Sequence, residues 1–134
     1  MIEITEKPIS PEDVVNKAKT DDSGCVVTYV GVIRRYSRGK KVASVEYRDT
    51  KGEAAGRLQG LVNEARQRWP VENIAITHRI GKLNVGDINI VVAVASGHRR
   101  EGFAAARYII NGFKRKLPTE KTETYLGSGR AKGE

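Results

Sequence analysis

Sulfur and aromatic side chains are scarce in this chain: its 134 residues include one cysteine, one tryptophan, two phenylalanines and two histidines. A lone Cys25 excludes an internal disulfide framework and a thiolate cage built from one chain; beside Val26-Val27 it reads as a small buried residue. No HExxH helix, Ser-His-Asp order, Walker-type phosphate loop or dinucleotide fingerprint is present, so those hydrolase and nucleotide chemistries lose weight. Prolines number only four and no low-complexity run occurs, which argues for a globular chain rather than a disordered one. No apolar stretch approaches the roughly 18 residues of a membrane span. Met1-Ile2-Glu3 begins nothing like a secretory signal. A cytoplasmic protein off the membrane is expected, with no metal and no cofactor.

What the chain does have is positive charge: 24 Lys and Arg against 16 Asp and Glu, a net +8. That balance points to an anionic partner or substrate without naming it. The length suits one domain, 1–134, with a single sizeable core. Its tail, 124–134, carries little apolar content and is expected to be loose.

Periodicity divides the rest. Met1 to Ile4 can add a short strand. Ser10-Pro11-Glu12-Asp13 starts a short helix that reaches about Lys19, with Ser10 as N-cap and Pro11 at the first helical position. Cys25 to Ile33 is β-rich and reads as a central strand. Gly31 inside it suggests a bulge, or a close approach of another chain or a ligand. Arg34 to Lys41 packs five cations into eight residues with no acid and reads as a mobile basic loop. Val42 to Tyr47 returns as a strand. Glu53 to Trp69 shows apolar residues at Ala55, Leu58, Val62, Ala65 and Trp69, a helical face stopped by Pro70. Asn73 to Ile80 and the apolar run Ile88 to Ala95, joined by a turn region at 81–87, read as an antiparallel pair. Strands interleaved with three helices, with hairpin-like connections, predict an α+β fold.

The stretch from Ala95 to Lys121 draws the most attention. Phe103, Ala106, Ile110, Phe113 and Leu117 define one apolar helical face. Cations sit at both ends, as His98-Arg99-Arg100 and Lys114-Arg115-Lys116. Those at the start lie where the helix dipole is already positive, so they do not serve the helix itself. His98 follows Ser96-Gly97 at a strand-to-helix junction, where free N–H groups favour anions, and Arg99 can grip a phosphate or carboxylate with two bonds. His78, inside a strand, reads as structural or merely surface-exposed. Lys114 and Lys121 are the candidate catalytic lysines, able to act as acid, base or nucleophile. Lys114, one position past Phe113, is expected to border the buried stripe with its head facing a pocket.

Several separated blocks resemble, in order, the MoaE family, the large catalytic subunit of molybdopterin synthase. They are Val26 to Arg34, Glu64 to Pro70, His78 to Leu83 with Gly86-Asp87, and Ser96-Gly97-His98-Arg99 leading to Ala104-Ala105 and Lys114. The resemblance covers about Gly24 to Glu123. It implies an α/β hammerhead-type sheet with packed helices and an added β-rich subdomain. It implies a sulfurtransferase that moves sulfur from the thiocarboxylated C-terminal Gly-Gly of a small β-grasp carrier subunit onto cyclic pyranopterin monophosphate, forming the molybdopterin dithiolene. A homodimer within a heterotetramer goes with it. Carried over by position, the resemblance assigns Lys114 and Lys121 to catalysis. Substrate binding falls to Val32, Ile33, Arg34, His98, Arg99, Lys114, Lys121, Thr122 and Glu123. After Pro118 the family usually shows an aromatic and then Trp-Lys, where this chain has Thr119-Glu120-Lys121. An alternative reading is a basic binding module for nucleic acid on the same scaffold, without turnover. It draws on the charge and the 34–41 loop. With aromatics at 6% and no base-stacking signature, the enzyme reading is preferred.

Overall fold

The computed structural model describes residues 1–127 and the strand residues 130–131. Along the chain run β1 (Ile2–Thr5), α1 (Pro11–Ala18), β2 (Cys25–Val32), β3 (Tyr36–Ser37), β4 (Lys40–Arg48), α2 (Ala54–Arg68), β5 (Asn73–Arg79), β6 (Gly81–Asn84), β7 (Ile88–Ser96), α3 (Arg99–Arg115), β8 (Glu120–Tyr125) and β9 (Arg130–Ala131). Two sheets result. The larger has the order β1-β5-β7-β2; the smaller gathers β3, β4, β8 and β9, with β6 also on β4. In the larger sheet β1 joins β5 in parallel, while β5 and β2 flank β7 antiparallel. The α+β architecture with a hammerhead-type sheet and an added β-rich subdomain is as expected.

Period-two alternation in β5 and β7 builds a core on each face of the larger sheet. Ile74, Ile76, Ile90, Val92 and Val94 meet Leu58, Val62 and Ala65 of α2 and Ala105, Ala106, Ile109 and Phe113 of α3. Ala75, Val91, Ala93 and Ala95 point the other way, under Val14 and Ala18 of α1. Small alanines on that side let the short helix lie close. Its start is set as expected, with Ser10 Oγ accepting from the Asp13 N–H at 3.5 Å and Pro11 at the first position.

The apolar spacing in α3 misplaces its buried face. Phe103 is 58% exposed, and the buried positions are Gly102, Ala105, Ala106, Ile109 and Phe113. A side chain at Gly102 would come within 3.0 Å of Val27 Cγ2. Close approach of helix to sheet therefore selects glycine there, and a count of apolar residues passes over it. Ala55 is likewise exposed, with Ala54 buried in its place.

Two connections are more ordered than the sequence suggests. The basic segment 34–41 holds the strand β3, whose Ser37 pairs with Lys40 across a two-residue turn. Arg38 and Gly39 both have positive φ, 56° and 75°, the conformation that matches the twist of a tight hairpin. The segment 81–87 likewise contains β6, paired with β4. The tail expected to be loose from Thr124 is paired as well: β8 runs along β4 to Tyr125, which is 4% exposed and packs with Val42, Val45, Tyr47 and Leu83. A tyrosine and a long pairing partner outweigh low apolar content. Residues 128, 129 and 132–134 of that tail lie outside the described residues. No helix among the described residues is long and apolar enough to cross a membrane.

Candidate active site

Where the smaller sheet meets the end of β2 and the last turn of α3, a cavity of about 250 Å³ opens. Each element delivers its residues for a simple reason. On β8, alternation sends Lys121, Glu123 and Tyr125 to one face. The cross-strand neighbours of Lys121 and Glu123 on β4 are Tyr47 and Val45. Exposed Thr122 falls on the opposite face and is absent from the lining. The end of β2 supplies Gly31, Val32, Ile33 and Arg34, and α3 supplies Lys114.

Of the residues assigned from the sequence, the fold brings Val32, Ile33, Arg34, Lys114, Lys121 and Glu123 to this one cavity. It leaves out His98 and Arg99. Arg99 opens α3 and Lys114 nearly closes it, so a rigid helix holds them about 22 Å apart at ~1.5 Å per residue. Within one chain the expected cluster of Arg34, His98 and Arg99 does not form. His98 and Arg99 are both exposed, and Ser96 Oγ donates to the His98 carbonyl at 2.6 Å, fixing the turn into the helix.

Three cations, Arg34, Lys114 and Lys121, face the cavity against one carboxylate, Glu123. That carboxylate is committed within the protein: Oε1 accepts from Ser37 Oγ at 3.1 Å and from the Tyr125 hydroxyl at 2.5 Å, while Oε2 lies 3.4 Å from Lys121 Nζ. Burial works to raise its pKa, but the hydrogen bonds from Tyr125 and Ser37 and the charge of Lys121 outweigh it and hold the carboxyl below its ordinary value. Glu123 is thus a fixed anion that ties the β3 hairpin to Lys121. Lys114 is exposed, its ammonium 5.9 Å from the ring centroid of Tyr29, within reach of a cation–π attraction.

Behind the cavity lies His78, fully buried. Its Nδ1–H donates to the Asn89 carbonyl at 2.9 Å, so Nε2 accepts from Thr119 Oγ1 at 3.0 Å. The rings of Tyr47 and Phe113 stand edge-on to it, centroids at 5.3 and 5.2 Å. Burial drives its pKa down, against the raising effects of Asn89 and Asp49, so the imidazole stays neutral. This histidine is a structural hub joining β5, β7, α3 and the segment that leads to Lys121.

Sequence reading passed over Ser37, Tyr29, Tyr47 and Asn89, all in the lining. For Asn89 a signal existed: it interrupts the otherwise apolar run from Ile88 to Ala95. Gly31 does mark a bulge, because Gly31 pairs with Ile90 and Val32 with Ile88, leaving Asn89 of β7 as the extra residue. A side chain at Gly31 would come within 2.7 Å of Asn89 Oδ1 and 2.8 Å of Ile90 Cγ2. The glycine makes room for the asparagine. Among the described residues no group of three His, Cys, Asp or Glu side chains is placed to hold a metal.

Comparison with known proteins identifies the family. The family model described as MoaE protein matches residues 4–116. The molybdopterin synthase catalytic subunit of Thermoplasma volcanium is 35% identical over 91% of this chain and 89% of its own. That of Bacillus subtilis is 33% identical over 92% and 78%. The crystal structure of molybdopterin synthase from Staphylococcus aureus superposes with a TM-score of 0.87 at 30% identity, covering 96% of this chain and 93% of that one. A sequence match across most of the length, together with a shared fold, places this chain in the MoaE protein family.

Proposed function

We propose that this chain is the catalytic subunit of a molybdopterin synthase, an enzyme of molybdenum cofactor biosynthesis. It transfers sulfur from the thiocarboxylated C-terminus of a small β-grasp carrier to cyclic pyranopterin monophosphate, in the cytoplasm. One observation carries the reading: Arg34, Lys114 and Lys121 converge on one cavity whose single carboxylate is internally bonded. Such a site takes anions, and both the phosphate of the pterin and the thiocarboxylate of the carrier are anionic. Fixed cations stabilise charge that develops on the attacked group, and Lys114 or Lys121 can deliver a proton to it.

His98 and Arg99 join this site from a second copy of the chain. In a two-fold dimer the start of α3 in one protomer serves the cavity of the other, which reconciles their role in anion binding with the length of the helix. The test is reconstitution: purified protein, thiocarboxylated carrier and cyclic pyranopterin monophosphate yield dithiolene product. Absence of product with an intact carrier overturns the assignment.

A further inference from the structure

Two buried polar residues in the cavity lining, Tyr47 and Asn89, are accounted for by neither the family resemblance nor the cation cluster. Tyr47 is 4% exposed and Asn89 9%, whereas the lysines and Arg34 at the same cavity are exposed. Three features of the fold fix the tyrosine hydroxyl. The bulge in β7 leaves Asn89 without a cross-strand partner. Gly31 vacates the space its amide occupies. The Asn89 Nδ2–H then donates to the Tyr47 hydroxyl oxygen at 3.1 Å. His78, pinned from both ring nitrogens, holds the phenol ring edge-on.

A phenol hydroxyl has one hydrogen to give and lone pairs to receive. Here a lone pair is engaged by Asn89, and the described hydrogen bonds contain no acceptor for the hydrogen. Nearby Glu123 makes no hydrogen bond to it; the carboxylate's Oε1 takes Ser37 and Tyr125 and its Oε2 faces Lys121. The hydroxyl also keeps its proton, since burial raises its pKa and the charge of Glu123 adds to that, against the bond from Asn89. An oriented donor at a cavity, with no protein group to receive it, is a ligand-binding feature. It provides what the cations do not, a directional and uncharged donor suited to a carbonyl-type oxygen.

We propose that Tyr47 is a substrate-binding residue whose hydroxyl donates a hydrogen bond to a carbonyl-type oxygen of the bound substrate, with Asn89 as the positioning residue that aims it. The proposal rests on the sulfur-transfer reading above, in which two ligands carry such an oxygen: the carrier's terminal thiocarboxylate and the ring of the pterin.

Steady-state turnover by the full chain with thiocarboxylated carrier tests it. Tyr47→Phe keeps the ring against His78 and removes only the oxygen. It is expected to fold with a lowered melting temperature, because the buried Asn89 amide loses its acceptor, and to lose about tenfold in kcat/KM per folded molecule, the scale of a buried hydrogen-bond partner left unmet. A KM rise confined to the carrier assigns the acceptor to its tail, and one confined to the pterin assigns it to the ring; either supports the proposal. Replacing Tyr47 by 3-fluorotyrosine sharpens the test, since the fluorinated phenol is a better donor and a poorer acceptor, and turnover is expected to hold or rise. Unchanged kcat/KM in Tyr47→Phe overturns the proposal while leaving the enzyme reading intact, as does a fluorotyrosine variant that falls as far as the phenylalanine one. Wild-type protein that makes no product overturns both.

Discussion

The two sheets bury different chemistry. In the larger one, β7 is buried from Asn89 to Ser96, and its aliphatic residues fill a core on either face. Its buried polar side chains stand toward the strand ends, Thr77, His78 and Asn89 on the cavity side and Ser96 at the other, and between them its energy is that of apolar burial. The smaller sheet instead buries Ser44 and Glu123 beside Tyr47 and Tyr125, with Thr119 buried just before β8. Among the described residues no buried side-chain nitrogen or oxygen lacks a hydrogen-bond partner. Polar groups held this way are expensive to misplace, so the smaller sheet trades simple packing for fixed directions. The middle of the larger sheet sets the shape; the smaller sheet, with the end of β2 and Asn89 of β7, aims charges and donors at the cavity.

The largest effect expected is on chemistry alone. Lys114→Ala, at an exposed position beside the cavity, should cost a hundredfold or more in sulfur transfer, on the order of a lost acid–base group. Its unfolding free energy should stay within about 0.5 kcal/mol of wild type. Lys114→Arg should fail too, because arginine does not readily release a proton. A product assay beside a thermal melt reads both; near-normal turnover would return the chemistry to Lys121.

Whether the site draws on both ends of α3 can be read by mixing variants. His98→Ala and Lys114→Ala, each inactive by itself, should regain part of the activity when co-refolded, since a mixed dimer then holds one complete cavity. No recovery in verified mixed dimers would mean that His98 does not act across the interface.

In the larger sheet the pattern should reverse. Ile76→Ala, at 1% exposure, should destabilise by roughly 2–5 kcal/mol through lost burial and a residual void. Denaturant titration measures this, and turnover per folded molecule should be unchanged. A matching fall in turnover per folded molecule would show that the two regions are not separable.

Protonation probes the seam between the sheets. His78 has a folded pKa below its ordinary value of 6.5, so its contribution to stability is complete above that pH and is lost as the pH falls from 6.5 toward the folded value. Glu123 has the same sign at lower pH, losing its contribution as the pH drops below its ordinary 4.5. Stability measured from pH 7 to 5 should therefore decline, and the decline should flatten in His78→Gln; an equal slope in that variant would remove the histidine as its cause. The smallest structural effect is expected for Arg34→Ala, which should raise KM for the pterin while shifting stability by less than about 0.5 kcal/mol. A large drop in melting temperature would instead make Arg34 part of the scaffold.

Much was legible in the chain because local rules suffice for it. Ser10-Pro11 started α1, the 73–80 and 88–95 runs gave β5 and β7, and Pro70 followed the end of α2, since caps, alternation and breakers act over a few residues. Arg34 and Lys114 lie in blocks that match the family and Lys121 follows by position, and the fold gathers all three. Tertiary structure alone decided what depends on distance through space. It separated His98 and Arg99 from the cavity, because a helix is a rod and its two ends cannot meet. It turned Phe103 outward, because Gly102 takes the close approach to β2. It made Asn89 a cavity residue, because a bulge opposite Gly31 re-aims one side chain, and neither periodicity nor composition records the pairing that produces it.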